Sequence, residues 1–241
     1  MIRKRAAVGR YWPGEADIIW GTTLTDLRTQ PRGIVFAHGS GDLADSASHA
    51  GREFFDWLAR RATVHVGDLG GQTWGSDAVV DRIDAAVNLL VNSYGASEPV
   101  ALVGVSMGGC SVLNYALRHP ERVACVALLI PLTNLSNARA NPWLTGRWPE
   151  MDALYPNGAT GDWDGHNPIE FADELPEDLP IKIWYSSDDG LVPPATVEAF
   201  VTARPQTESR LVGAYSHSLP LQRPLNVEIA RWIEAHHPAT P

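Results

Sequence analysis

The chain has 241 residues, 44% hydrophobic and 20% charged, a balance that suits one globular domain with a large core. A formal net charge of −9 disfavours nucleic acid or an anionic membrane surface as a partner. Two cysteines cannot build a disulfide framework, no apolar run approaches the length of a membrane span, and Met1-Ile2-Arg3-Lys4-Arg5 is not followed by the apolar stretch of a secretory signal. A cytoplasmic location is therefore expected, although signal-independent release or assembly into a larger particle is compatible with the same features.

Two leading strands are predicted at Ala6–Trp12 and Asp17–Leu24, joined by a Pro13-Gly14 turn. Gly33–Ala37 is a short apolar strand that runs into His38-Gly39-Ser40-Gly41-Asp42, and glycines directly after a buried strand mark a backbone that something approaches closely. A helix at 46–61 turns Phe54, Phe55 and Leu58 inward. Thr63–Val66 is the next strand, ending in Asp68-Leu69-Gly70-Gly71. Ser76 is placed to cap a helix in which Val80, Ile83, Val87, Leu90, Val91 and Tyr94 share one face. A continuous apolar run from Val100 is then broken by Gly104-Val105-Ser106-Met107-Gly108, and a helical pattern begins at once, stopping near Pro120. Val123–Ile130 is a buried strand, residues 131–179 show no sustained period, and Ile181–Tyr185 is a strand leading into Asp188-Asp189-Gly190. A helix at about 195–203, a last strand at Ser209–Val212 and a closing helix carrying Leu225, Ile229, Trp232 and Ile233 complete the chain.

Strands alternating with amphipathic helices predict an α/β fold, a mostly parallel sheet covered on both faces. Ligands of such sheets bind beyond the carboxyl ends of the strands. His38–Asp42, Ser106, Asp188-Asp189 and His217 all come directly after strands, so all four should meet at one rim. A strand–turn–helix with serine at the turn lifts the hydroxyl clear of the backbone and aims the first helical N–H, that of Met107, beside it. A serine hydroxyl needs a base, and the base needs a partner to set its tautomer. The order serine, acid, histidine matches one known arrangement of that kind. His217, after the last strand, is the candidate base. Among the other histidines, His38 braces the glycine loop, His65 is mid-strand, His119 ends a helix, His236 and His237 belong to the tail, and His49 and His166 lie in poorly placed segments. Asp188 and Asp189 compete as the acid. No metal or other cofactor is implied: no Cys/His/Asp cluster has ligand spacing, and Gly104–Gly109 lacks the Lys-Ser/Thr of a phosphate loop.

These motifs, with His119-Pro120-Glu121-Arg122-Val123, Asp189-Gly190-Leu191-Val192-Pro193 and Ser216-His217-Ser218, resemble the α/β-hydrolase superfamily across nearly the whole chain. The resemblance implies one α/β-hydrolase domain over 1–241 with a lid or cap inserted at about 131–179. It favours Asp189, three residues before the Val of a Val-Pro pair, with Asp188 holding the turn. It implies an oxyanion hole from the backbone N–H groups of Ser40 and Met107. Where many members read Gly-His-Gly-x-Ser, this chain has Gly70-Gly71-Gln72-Thr73, in a loop expected to pack rather than react.

The insertion holds Trp143, Trp148, Tyr155 and Trp163, read either as walls of an apolar or aromatic substrate pocket or as a packed loop shielding the sheet. Its acidic residues, among them Asp162, Asp164, Glu170 and Asp173, would disfavour anionic substrates if they faced the cleft. The leading expectation is a serine hydrolase that cleaves a small uncharged carboxylic ester through an acyl-enzyme. The alternatives are an amidase or peptidase of the prolyl-cleaving type, and a hydrolase-fold binding or structural subunit of a larger assembly.

Overall fold

The computed structural model describes residues 5–9, 17–21, 32–42, 44, 52–60 and 62–237. In chain order the elements are β1 (Arg5–Gly9), β2 (Asp17–Gly21), β3 (Gly33–Ala37), α1 (Arg52–Leu58), β4 (Thr63–Gly67), α2 (Asp77–Tyr94), β5 (Val100–Val105) and α3 (Met107–Arg118). They continue with β6 (Val123–Leu129), α4 (Leu135–Ala140), α5 (Trp148–Leu154), β7 (Ile181–Ser186), α6 (Pro194–Ala203), β8 (Glu208–Gly213) and α7 (Leu225–His236). Strand is described at Arg5–Gly9 and Asp17–Gly21; residues 10–12 and 22–24 of the two expected leading strands, the Pro13-Gly14 turn and residues 46–51 of the first expected helix lie outside the described residues.

One sheet runs in the order β1-β2-β4-β3-β5-β6-β7-β8. β1 and β2 are antiparallel to each other, and β2 is antiparallel to β4, while β4 through β8 form a parallel block. The parallel strands are apolar at successive positions because both faces are covered, and alternate side chains enter opposite cores. Leu102 joins a core sealed by α2, α3 and α6, with Ile83, Leu90, Leu113, Ile183 and Phe200. Its neighbour Val103 joins a second core sealed by α1 and α7, with Phe54, Phe55, Leu58, Ile229 and Trp232. The register pairs Ala37 with Gly104, Val105 with Leu129, and Leu129 with Trp184, so the strands end level along one rim.

Ser76 does precede α2, but its side chain makes no capping bond; its carbonyl accepts from Val79 and Val80 N–H instead. α3 ends at Arg118, and Pro120 opens a short 3-10 turn in its place. The insertion contributes α4, α5 and two 3-10 turns. It packs into the first core through Leu132, Leu135 and Ala138 and again through Met151, Tyr155, Trp163, Phe171, Leu175 and Leu179. Among the described residues no helix is long and apolar enough to cross a membrane.

Two predictions come from this packing. A Cβ on Gly108 would lie 2.2 Å from the Ala37 carbonyl oxygen, at the point where α3 starts against the end of β3. Gly108→Ala is expected to cost about 3 kcal/mol, the upper end of what overpacking usually costs, read as a lower urea midpoint with an unchanged slope. At the far end of the fold His237 is buried, and that burial, with Arg32 beside it, holds its pKa down at about 4. The unfolded chain takes up that proton near 6.5 and the folded chain does not, so stability falls as pH drops through this window. His237→Gln should remove about 2 kcal/mol of the stability difference between pH 7 and pH 5, measured by urea unfolding at both.

Candidate active site

Ser106 closes β5 with φ 50° and ψ −117°, a conformation that non-glycine residues rarely adopt. Such strain costs on the order of 1–3 kcal/mol and persists only where the surroundings over-determine it. The surroundings of Ser106 supply three backbone bonds. Its N–H donates to the Leu129 carbonyl at 3.0 Å, and its own carbonyl accepts from Gly109 N–H at 2.9 Å and Leu132 N–H at 2.8 Å. A Cβ on Gly104 would meet the Gly108 carbonyl oxygen at 2.6 Å, so the strand and the new helix can close on each other only without side chains there.

The rim brings Ser106, His217 and Asp189 together. His217 Nε2 lies 2.8 Å from Ser106 Oγ, and Nδ1 lies 2.8 Å and 3.0 Å from the two carboxylate oxygens of Asp189. A carboxylate can only accept here, so Nδ1 carries the hydrogen and Nε2 is left to accept from the serine hydroxyl. Asp189 is 4% exposed, and its Oδ1 also accepts from the N–H groups of Leu191 and Val192 at 2.9 Å and 2.8 Å. Asp188 points elsewhere: its Oδ1 accepts from the Ser186 hydroxyl at 2.8 Å and from Ser216 N–H at 2.7 Å. Those two bonds, the hydroxyl first, hold its carboxyl below the usual range. Asp188 thus ties down the turn that carries His217, whose neighbour Ser216 sits at φ 51°.

The loop after β3 faces the serine from the other side. A Cβ on Gly39 would stand 3.5 Å from Ser106 Cβ. His38 is buried behind this loop, its two ring nitrogens each 2.8 Å from a carbonyl oxygen, of Gly39 and of Asp68. Met107 is the first residue of α3, so its N–H has no acceptor within the helix. Gln72 is the residue that sequence reasoning missed. Its Oε1 accepts from the Ser40 hydroxyl at 2.6 Å and from Gly41 N–H at 3.1 Å, pinning the loop after β3. Gly70 and Gly71, at φ 85° and 74°, turn the chain so that Gln72 meets that loop. Two successive glycines at the end of a rim strand were the signal available.

The four aromatic residues of the insertion do not act as a set. Tyr155 and Trp163 are core residues, 2% and 1% exposed. The Tyr155 hydroxyl donates to the Trp74 carbonyl, and the Trp163 indole donates to Ser136 Oγ. Their polar atoms are engaged inward, which corrects the expectation that they line a substrate pocket. Trp148 is covered by the Arg139 guanidinium, 4.1 Å from its ring centre, and Trp143 is 80% exposed. The 3-10 turn Pro142–Arg147 does reach the rim. Asn141 donates to the carbonyls of Gly190 and Leu191, and a side chain on Gly41 would meet Arg147 at 3.0 Å. A hollow that reaches His217 is built by other residues. A cavity of about 330 Å³ runs from His217 between Phe36, Phe55, Val105, Ile130, Leu219 and Leu221, with Asp42 at its edge.

A family described as the alpha/beta hydrolase fold matches residues 34–160. The chain belongs to that family. It is 30% identical over 115 residues to the lipase LipV of Mycobacterium tuberculosis, covering 46% of this chain and 44% of the lipase. It is 31% identical over 107 residues to the 2-hydroxy-6-oxo-6-phenylhexa-2,4-dienoate hydrolase of Burkholderia cepacia, covering 42% of this chain and 37% of that hydrolase. The matched stretches thus span less than half the length of these relatives. Among solved structures, Est1E from Butyrivibrio proteoclasticus superposes with a TM-score of 0.73 over 96% of this chain and 98% of its own, at 15% identity. At that identity the likeness is one of fold.

Replacing Gln72 by Leu removes the only side-chain acceptor of the Ser40–Gly41 turn among the described residues. Two lost bonds of about 1 kcal/mol each predict a fall in kcat of roughly tenfold or more on a p-nitrophenyl ester, with little change in KM. Gln72→Glu keeps an accepting oxygen and should recover most of the loss. Equal losses in both variants would assign Gln72 to packing alone.

Proposed function

We propose that this chain is a serine hydrolase that cleaves an uncharged carboxylic ester through an acyl-enzyme. The observation that carries the reading is the unbroken hydrogen-bond chain from Ser106 Oγ through His217 to Asp189. In this reading Ser106 Oγ attacks the ester carbonyl carbon and gives its proton to His217 Nε2. Asp189, already bonded at Nδ1, stabilises the imidazolium that results. The N–H groups of Ser40 and Met107 receive the oxyanion. Collapse of the tetrahedral adduct breaks the bond to the alcohol oxygen, which leaves with the proton from Nε2. Water then repeats the sequence on the acyl-enzyme, with His217 as base, and releases the acid. Residues 131–179 are an insertion within the same domain, and in this reading the 141–147 stretch walls the cleft between Gly41 and the loop that bears Asp189. The apolar cavity beside His217 supports an uncharged substrate.

Labelling with a fluorophosphonate probe tests the nucleophile: the wild-type chain should label and Ser106→Ala should not. Folded protein that fails to label, or a variant that labels equally, would overturn the assignment. The two neighbouring acids separate by substitution. Asp189→Asn should lower kcat by about 10³–10⁴-fold, because it disturbs the tautomer of His217. Asp188→Asn, which weakens only the turn, should cost far less. A panel of p-nitrophenyl esters and aminoacyl anilides tests the bond; anilide cleavage without ester cleavage would sink the ester reading.

A further inference from the structure

The second core, between the sheet and the helices α1 and α7, does not fill the space up to the reactive rim. Phe36, Phe54, Phe55, Leu129, Ile130 and Leu219 belong to that core, and Val105 and Leu221 border it. Between them lies the cavity of about 330 Å³ that ends at His217. A cavity of about 150 Å³ lined by such residues already accommodates benzene. This one takes a ring with a substituent.

Its position relative to the chemistry decides which part of a substrate enters. The cavity's lining includes His217 and neither Ser40 nor Met107, the oxyanion donors of this reading; Asp42 is its one residue from the loop after β3. In acyl transfer the histidine must hand its proton to the departing oxygen, so that oxygen sits within hydrogen-bond reach of Nε2. The cavity begins at His217 and continues along Ser218, Leu219 and Leu221, the next residues in the chain. Asp42, half-buried at the edge, places a carboxylate there that opposes an anionic group.

Resting on the ester-hydrolase reading above, we infer that this cavity is the leaving-group site, and that it selects esters of bulky, uncharged, apolar alcohols such as benzyl or cyclohexyl alcohol. The acyl group is held elsewhere. Specificity on the alcohol side then comes from the α1/α7 face of the sheet, and the tryptophans of the insertion take no part in it.

The test compares methyl acetate with benzyl acetate, and p-nitrophenyl acetate with its butyrate and octanoate, in the wild-type chain and in Leu221→Trp, which fills the cavity from its half-buried edge. Wild type should favour benzyl over methyl acetate in kcat/KM. Leu221→Trp should lower that ratio about tenfold or more, while the profile across acyl lengths keeps its shape. If Leu221→Trp does not fold, Ser218→Trp at the exposed mouth serves the same purpose. A benzyl-to-methyl ratio that is near one, or that neither variant lowers, overturns the assignment. So does a variant that changes the acyl-length profile in its place, which would give the cavity to the acid half of the ester. Fluorophosphonate labelling of the same samples separates the two levels. Labelled protein with an unmoved ratio refutes the cavity assignment alone, and unlabelled wild type refutes the ester-hydrolase reading on which it stands.

Discussion

The close approach of α3 to the end of β3 is the constraint on which the rest of the site depends. Gly108 lies so near the Ala37 carbonyl that no side chain fits between them. This contact forces the chain to turn from strand to helix within a single residue, and that residue is Ser106, at a positive φ. The strain is held by three backbone hydrogen bonds, two of which reach β6 and the segment just after it. A serine on an ordinary loop could point in many directions; this one is fixed by the packing of a whole sheet. The same approach sets the first turn of α3 beside the end of β3 and the His38 carbonyl.

The two adjacent aspartates divide the work of orienting the histidine. Asp189 is buried, receives two backbone N–H groups, and bonds the imidazole directly. Asp188 is at the surface and bonds the backbone that carries His217. One sets the ring and the other sets the turn. Their neighbouring positions look redundant in sequence, yet successive side chains after a strand point in different directions, so one carboxylate enters the rim and the other meets the turn beside it.

Much of the site is legible in the sequence, and for a definite reason. Parallel strands covered on both faces announce themselves as apolar runs, and the loops that begin where those runs end must share a common rim. Ser106, the Asp188-Asp189 pair and His217 can therefore be brought to one rim from the chain alone, while the choice of Asp189 over Asp188 comes from the family resemblance. Gln72 cannot, because its role depends on two glycine dihedral angles and on a contact across 31 residues of chain. Tyr155 and Trp163 mislead for a similar reason. An aromatic residue in an aperiodic segment looks free to face a ligand, and only the acceptors at the Trp74 carbonyl and Ser136 Oγ reveal that each faces inward. The cavity beside His217 is equally invisible in sequence, being a gap between residues that each read as ordinary core.

Asn141 has a consequence for how such a chain can be re-engineered. Its side chain joins the insertion to the carbonyls of Gly190 and Leu191, next to the aspartate that orients His217. The insertion is therefore no detachable cassette. A transplanted segment that lacks an amide at this position would leave two carbonyls of the acid's loop without their donor, and a change meant to alter the cleft wall would also loosen the acid. Exchange boundaries placed after residue 141 keep the two functions separate.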